Sequence, residues 1–173
     1  DSTYPQRGKK MIEKSNEKLK KWLAFRSSNQ EYGIDIMRVQ EMRGYEPDKV
    51  TRVAHALPHM LGMINLRGQI IPVIDLRVKL GMGEATFNEQ TVIIILDLKP
   101  KMLGMVVDSV SGDMDLAESD IQPPPKSRDV GIADFLIGLA NHDDQLIQIL
   151  DVDRMLDADS DAAPATTQIA TAE

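Results

Sequence analysis

Leu61-Gly62-Met63-Ile64-Asn65-Leu66-Arg67-Gly68-Gln69-Ile70-Ile71-Pro72-Val73-Ile74-Asp75-Leu76-Arg77-Val78-Lys79-Leu80 recurs, without a gap, as Ile137 to Leu156. Gly62 falls on Gly138, Asn65 on Asn141, Gln69 on Gln145, Ile71 on Ile147, Asp75 on Asp151 and Leu80 on Leu156. Identity is weak, but the physics repeats. Two apolar β-type runs flank a turn, an Asp is placed to cap a helix, and a short apolar helix follows. Further upstream, Tyr32-Gly33-Ile34 lies over Leu103-Gly104-Met105, and Val39 falls close to Val110. The chain is therefore read as a two-fold internal duplication, too few copies for a solenoid. Each half carries four or five short strands, and a sheet that small protects its edges by closing into a barrel.

The remaining elements follow from local chemistry. Trp22 to Ser27 reads as a strand, Ser28-Asn29-Gln30-Glu31 as a turn, and Tyr32 to Val39 as a half-buried strand with Ile34 and Ile36 alternating. Pro58 opens a helical turn through Met60 that Gly62 closes. Met63 to Asp75 is a hairpin around Asn65-Leu66-Arg67-Gly68, and Pro72 makes its second strand an edge or a bulged strand. Thr91 to Leu98 and Met102 to Val110 are strands about the turn Lys99-Pro100-Lys101, and Pro123-Pro124-Pro125 is an extended crossing. The expected organisation is all-β. Residues 1–21 form a flexible lysine-rich leader, 22–88 a first barrel, 89–156 a second barrel, and 157–173 a disordered acidic tail.

Composition excludes several classes of function. Cysteine is absent, which removes disulfides, thiolate metal sites and a cysteine nucleophile together. The formal charge of −7 and an aromatic content of 4% argue against nucleic acid, which needs a basic face or stacking platforms. No apolar run approaches the length of a membrane helix, so membrane insertion is not expected and a cytoplasmic location is.

No catalytic constellation survives inspection. His55 and His59 have the spacing of ligands on one helical face, but Leu57-Pro58 interrupts a helix there and no third ligand is near. Asp157-x-Asp159-x-Asp161 imitates a calcium loop without its glycine, because Ala162 stands in that place. Gly81-x-Gly83 is too short for a phosphate loop. Asp113, Asp115, Glu118 and Asp120 read as a solvated polar loop rather than an acid–base pair. Neither a cofactor nor a metal is expected, and the chain does not read as an enzyme.

Two places are not explained by solvation. In Ile36-Met37-Arg38-Val39-Gln40-Glu41-Met42 the alternation slips. Either a bulge or a covered strand accounts for it, or the segment presents an apolar stripe to a partner. Arg67 is the second, a planar five-donor fork in an otherwise uncharged hairpin.

Tyr32-Gly33-Ile34-Asp35-Ile36, Val39-Gln40-Glu41-Met42-Arg43-Gly44, Gly62-Met63-Ile64-Asn65-Leu66-Arg67-Gly68 and Pro72-Val73-Ile74-Asp75-Leu76-Arg77 together closely resemble the CheW family of bacterial chemotaxis coupling proteins. Gly104-Met105-Val106-Val107-Asp108-Ser109-Val110 is similar to that family's second-half strand. The resemblance covers one domain, about 22–156. It implies two SH3-like five-stranded barrels and no catalysis. It also implies an adaptor bridging the cytoplasmic tips of methyl-accepting chemoreceptors to the regulatory domain of a chemotaxis histidine kinase, within arrays at the membrane. Carried over by position, it implies receptor contacts at Ile36, Val39, Glu41, Arg67, Ile70 and Val92, and kinase contacts at Gly62 and Val110. A similar scaffold serving another kinase pathway, such as surface motility, would share these features.

Overall fold

The computed structural model describes residues 17–125 and 132–160. The elements run β1 (Leu19–Ser27), β2 (Gln30–Asp35), β3 (Val39–Gly44), β4 (Met60–Leu66), β5 (Gln69–Asp75), α1 (Leu76–Lys79), β6 (Val92–Asp97) and β7 (Met102–Val107). They continue with β8 (Ser109–Ala117), β9 (Ile121–Gln122), β10 (Leu136–His142), β11 (Gln145–Leu150) and α2 (Val152–Ser160). The strands form a six-stranded sheet, β8-β1-β2-β11-β10-β9, and a five-stranded sheet, β3-β6-β7-β5-β4. This is the expected all-β class, built around three clusters of buried side chains.

The duplication is written into the register. In β4–β5, Leu66 faces Gln69 and a bulge separates Met60 from Gly62; in β10–β11, His142 faces Gln145 and a bulge separates Leu136 from Gly138. Asp75 N–H donates to His59 C=O at 2.8 Å, and Asp151 N–H to Phe135 C=O at the same distance. Asp75 caps α1 by accepting from the amides of Arg77 and Val78. Asp151 accepts from the amide of Arg154 in the first turn of α2.

The barrel boundaries expected at 22–88 and 89–156 need correction. They mark the two repeats but not the two sheets. β1 and β2 of the first repeat pair with β8 and β11 of the second, while β6 and β7 of the second pair with β3 and β5 of the first. The chain crosses over at the 3-10 turn Ile36–Arg38 and again at Asp108, so each sheet draws strands from both repeats. The ends shift too. Leu19–Lys21 belong to β1 and 157–160 to α2, whereas residues 1–16 and 161–173 lie outside the described residues.

Alternation places the cores. On β1, Trp22 and Ala24 enter a cluster with Met114, Leu116, Ala140, Ile147 and Ile149, inside the six-stranded sheet. Leu66, Ile71, Val73, Ile93, Ile95 and Val106 fill the five-stranded one. The other faces of both sheets meet each other. Leu23, Phe25, Tyr32 and Ile34 pack there with Ile94, Leu96, Met105 and Val107, and α2 adds Val152, Met155 and Leu156. Burial on both faces explains the unbroken apolar runs of β1 and β6.

Three local expectations change. Pro58 is followed by one turn, and then Met60 starts a strand rather than ending a helix. β5 is not an edge: it lies between β4 and β7, and its ladder with β7 begins at Val73, so Pro72 owes that ladder no bond. Asp113 and Asp115 lie not in a polar loop but on the long strand β8, while Glu118 and Asp120 sit in the 3-10 turn that follows it. Met114 and Leu116 point inward while Asp113 and Asp115 stay outside, 3.5 and 3.6 Å from the Lys21 ammonium.

Candidate functional site: the β3 edge and the β4–β5 turn

The tip of the β4–β5 hairpin is the two-residue turn Arg67–Gly68, with φ of 52° and 86°. Positive φ at both positions gives the turn whose twist matches a hairpin, and Gly68 is suited to it. Asn65 Oδ1 accepts from Gly68 N–H at 2.8 Å and pins the loop. Arg67 is held at that tip with 73% of its side chain exposed.

β3 is an edge strand with a bulge between Val39 and Glu41, so the slipped alternation has its structural cause. Two apolar side chains of the segment are exposed as well. Asp35 accepts from Met37 N–H at 2.9 Å and caps the turn Ile36–Arg38, which leaves Met37 82% exposed and Met42, further along β3, 45% exposed. Arg38, on the same turn, pairs with Asp153 of α2 at 3.0 Å.

Glu41 and Arg67 meet. Arg67 Nη2 donates to Glu41 Oε2 at 3.3 Å, and Arg43 Nη2 donates to Oε1 at 3.4 Å. The pair links β3 to the tip that follows β4, and these two strands stand at opposite ends of the five-stranded sheet. A side-chain contact therefore spans the gap between its first and last strands. Ile70 is half-buried on β5 opposite Asn65. Ile36, Val39, Val92 and Val110 are half-buried around the rim of the core between the sheets. They are not one contact group: Val39 faces Leu96, whereas Val92 faces Gly44 at the other end of the β3–β6 ladder. Val110 sits on β8 opposite Phe25. Gly62 has φ of 148°, and a Cβ there would run into the Thr51 carbonyl. Thr51 and Met63 exchange backbone hydrogen bonds at 2.8 Å across that contact, so Gly62 is required by the backbone itself.

Two polar groups give no local signal in the sequence. Arg77, 5% exposed, reaches Asp75 at 2.8 Å, Asp108 at 2.7 Å and Thr86 Oγ1 at 3.0 Å. Burial pushes its guanidinium down, but hydrogen bonding and charge from Asp75, with the charge of Asp108, raise it overall. Asp108 Oδ2 also accepts from Ser28 N–H, so the network ties α1 to the β1–β2 turn at the floor of an open polar cleft of about 650 Å³. Asp159, expected in a solvated tail, is buried instead. Its carboxylate lies 2.5 Å from His59 Nε2 and 2.8 Å from Lys79 Nζ, because α2 runs on through it and docks there. His59 thus has a structural partner, while His55 lies exposed in the preceding loop. Among the described residues no three His, Cys, Asp or Glu side chains gather as metal ligands would. Exposed arginine and exposed methionine are both residue types that protein-binding surfaces select for.

A family profile described as CheW-like domain matches residues 21–160. The chain is 38% identical over 138 residues to the chemotaxis protein CheW of Klebsiella aerogenes, a match that covers 80% of this chain and 82% of that protein. It is 35% identical over 142 residues to the probable chemotaxis protein CheW of Rhizobium etli, covering 82% and 90%. The crystal structure of the scaffolding protein TtCheW from Thermoanaerobacter tengcongensis superposes with a TM-score of 0.72 at 32% identity, covering 80% of this chain and 88% of that one. Sequence, register and fold agree, and the chain belongs to the CheW-like family of chemotaxis scaffold proteins.

Proposed function

We infer that the chain is a non-enzymatic adaptor that couples transmembrane chemoreceptors to the chemotaxis histidine kinase and helps to assemble their arrays. The observation that carries this reading is the exposed Arg67, tethered to Glu41 of the edge strand β3, in a segment that also exposes Met37 and Met42. A receptor tip is a pair of helices. It would lay apolar side chains along this edge, reach Ile36 and Val39 at one end and Val92 at the other, with Ile70 on β5, and offer a carboxylate to Arg67. Glu41 is then the internal competitor that holds the guanidinium in place until a partner arrives.

The regulatory domain of the kinase would take a different face, at Val110 on β8 and in the neighbourhood whose backbone Gly62 shapes. No cofactor, metal or bond-making step is needed. Each contact can be modest, since tethering to one partner raises the effective concentration of the other. No helix among the described residues is long and apolar enough to cross a membrane. On this reading the receptors hold the adaptor at the array.

Co-sedimentation with receptor-bearing membranes tests the docking edge. Arg67→Ala should weaken receptor binding by about 1–3 kcal/mol, the usual cost of truncating an anchoring interface arginine. Unchanged binding by folded Arg67→Ala would remove the hairpin tip from the receptor surface.

A further inference from the structure

The chain contains no cysteine and ten methionines, so its sulfur chemistry is thioether chemistry alone. The structure sorts the described methionines sharply. Met105, Met114 and Met155 are buried in the cores, and Met60, Met63 and Met102 are half-buried in strands. Three are exposed: Met37 at 82%, Met42 at 45% and Met82 at 43%. Met37 is the most exposed large apolar side chain among the described residues, and it does not reach solvent by fraying, because Asp35 caps its turn. Met82 differs in setting. It lines the polar cleft, and its sulfur accepts from the Tyr32 hydroxyl at 3.5 Å.

We propose that Met37 and Met42 form a reversible oxidation site through which peroxide-class oxidants weaken partner docking on the β3 edge. This rests on the docking edge described above and adds its regulation. The chemistry balances with hydrogen peroxide. A sulfur lone pair attacks one peroxide oxygen, the O–O bond breaks and an S–O bond forms. The thioether loses two electrons to become a sulfoxide, and the other oxygen leaves as water after proton transfer. The product is polar and chiral where an apolar, deformable side chain had been, and methionine sulfoxide reductases return it to the thioether. At an exposed edge the change costs the fold little. In a docked interface it would have to be desolvated, which opposes binding.

The test treats the full chain with hydrogen peroxide, maps sulfoxides by peptide mass spectrometry, and measures binding to receptor-bearing membranes before and after. Met37 and Met42 should oxidise ahead of Met60, Met63, Met102, Met105, Met114 and Met155. Affinity should fall about tenfold, the loss of roughly one buried apolar side chain's contribution. Methionine sulfoxide reductase should restore it. The double variant M37L/M42L is compared only with itself, before and after peroxide, and should show no further loss, whereas M82L should remain peroxide-sensitive. An unchanged far-UV spectrum and melting temperature of the oxidised protein place the effect at the surface. Equal binding before and after oxidation, or an equal loss in M37L/M42L, overturns the oxidation site and leaves the docking edge standing. No binding by the untreated chain overturns both.

Discussion

Arg77 shows what a single residue can do without being visible in a local pattern. Its side chain is 5% exposed beside the fully buried Asp75. Replacing it by Met would strand that carboxylate, at a cost of about 3–5 kcal/mol in a urea titration. The cap at Asp75 is legible, since Asp before Leu-Arg-Val-Lys is a helix-start signal. The burial of Arg77 is not, because Thr86 and Phe87 reach it from an irregular loop after α1 and Asp108 from beyond β7. Its guanidinium is raised from an ordinary value already far above neutral, so Arg77 itself stays charged through neutral pH. The buried Tyr32 and the half-buried Tyr45 do set an alkaline limit. Burial raises Tyr32, against a smaller opposing hydrogen bond to Gln148, and burial followed by the charge of Asp75 raises Tyr45, against Arg52. An unfolded chain ionises its tyrosines first, near their ordinary value of 10.0, so the folded state binds more protons above that pH. Stability should therefore be level with respect to these groups below pH 10.0 and fall as pH rises beyond it. Unfolding midpoints followed from neutral into alkaline solution should show that fall, and Tyr32→Phe should make it shallower.

At the level of elements, the hairpin–cap–helix unit is the most legible part, because its periodicity, turn residues and capping Asp all point the same way. β8 is harder to read, although Asp113-Met114-Asp115-Leu116 alternates strictly. The density of acidic residues suggests a loop, yet on a strand the carboxylates need only one solvated face, and Lys21 stands opposite them. Nothing local in the sequence continues α2 through Asp159, whose half-buried partners His59 and Lys79 belong to the first repeat. The glycines separate two kinds of requirement. Gly62→Ala should cost about 2–4 kcal/mol, from strain and the clash with Thr51 together, whereas Gly68→Ala, at positive φ but facing open space, should cost only about 1 kcal/mol. Thermal melts of the two variants would check the difference. If Gly62→Ala melts like the parent, Gly62 is not a structural requirement, and any lost kinase contact would be a direct one.

For the whole molecule, the exchange of strands between repeats has no counterpart in the sequence pattern. Each repeat encodes its own hairpins, but nothing local says which repeat completes which sheet. The consequence is testable. Because β1 and β2 complete one sheet and β6 and β7 the other, residues 1–88 and 89–173 expressed separately should each be unfolded by circular dichroism and gain β-structure only when mixed. A half that folds alone would contradict this topology. The candidate site is legible in its chemistry, since Arg67 and the slipped segment at Ile36–Met42 both stand out from their surroundings. Its geometry is not: the Glu41–Arg67 contact joins positions 26 residues apart, and Val92 falls at the opposite end of the ladder from Val39. If receptors dock on this edge while the kinase is held elsewhere on the same molecule, receptor-controlled phosphate transfer from ATP reads both contacts at once. With receptor-bearing membranes and the kinase, the chain should confer receptor control on phosphotransfer, and folded Arg67→Ala should not at the same concentration. Kinase activity that stays indifferent to receptors in the presence of the intact chain would contradict the account.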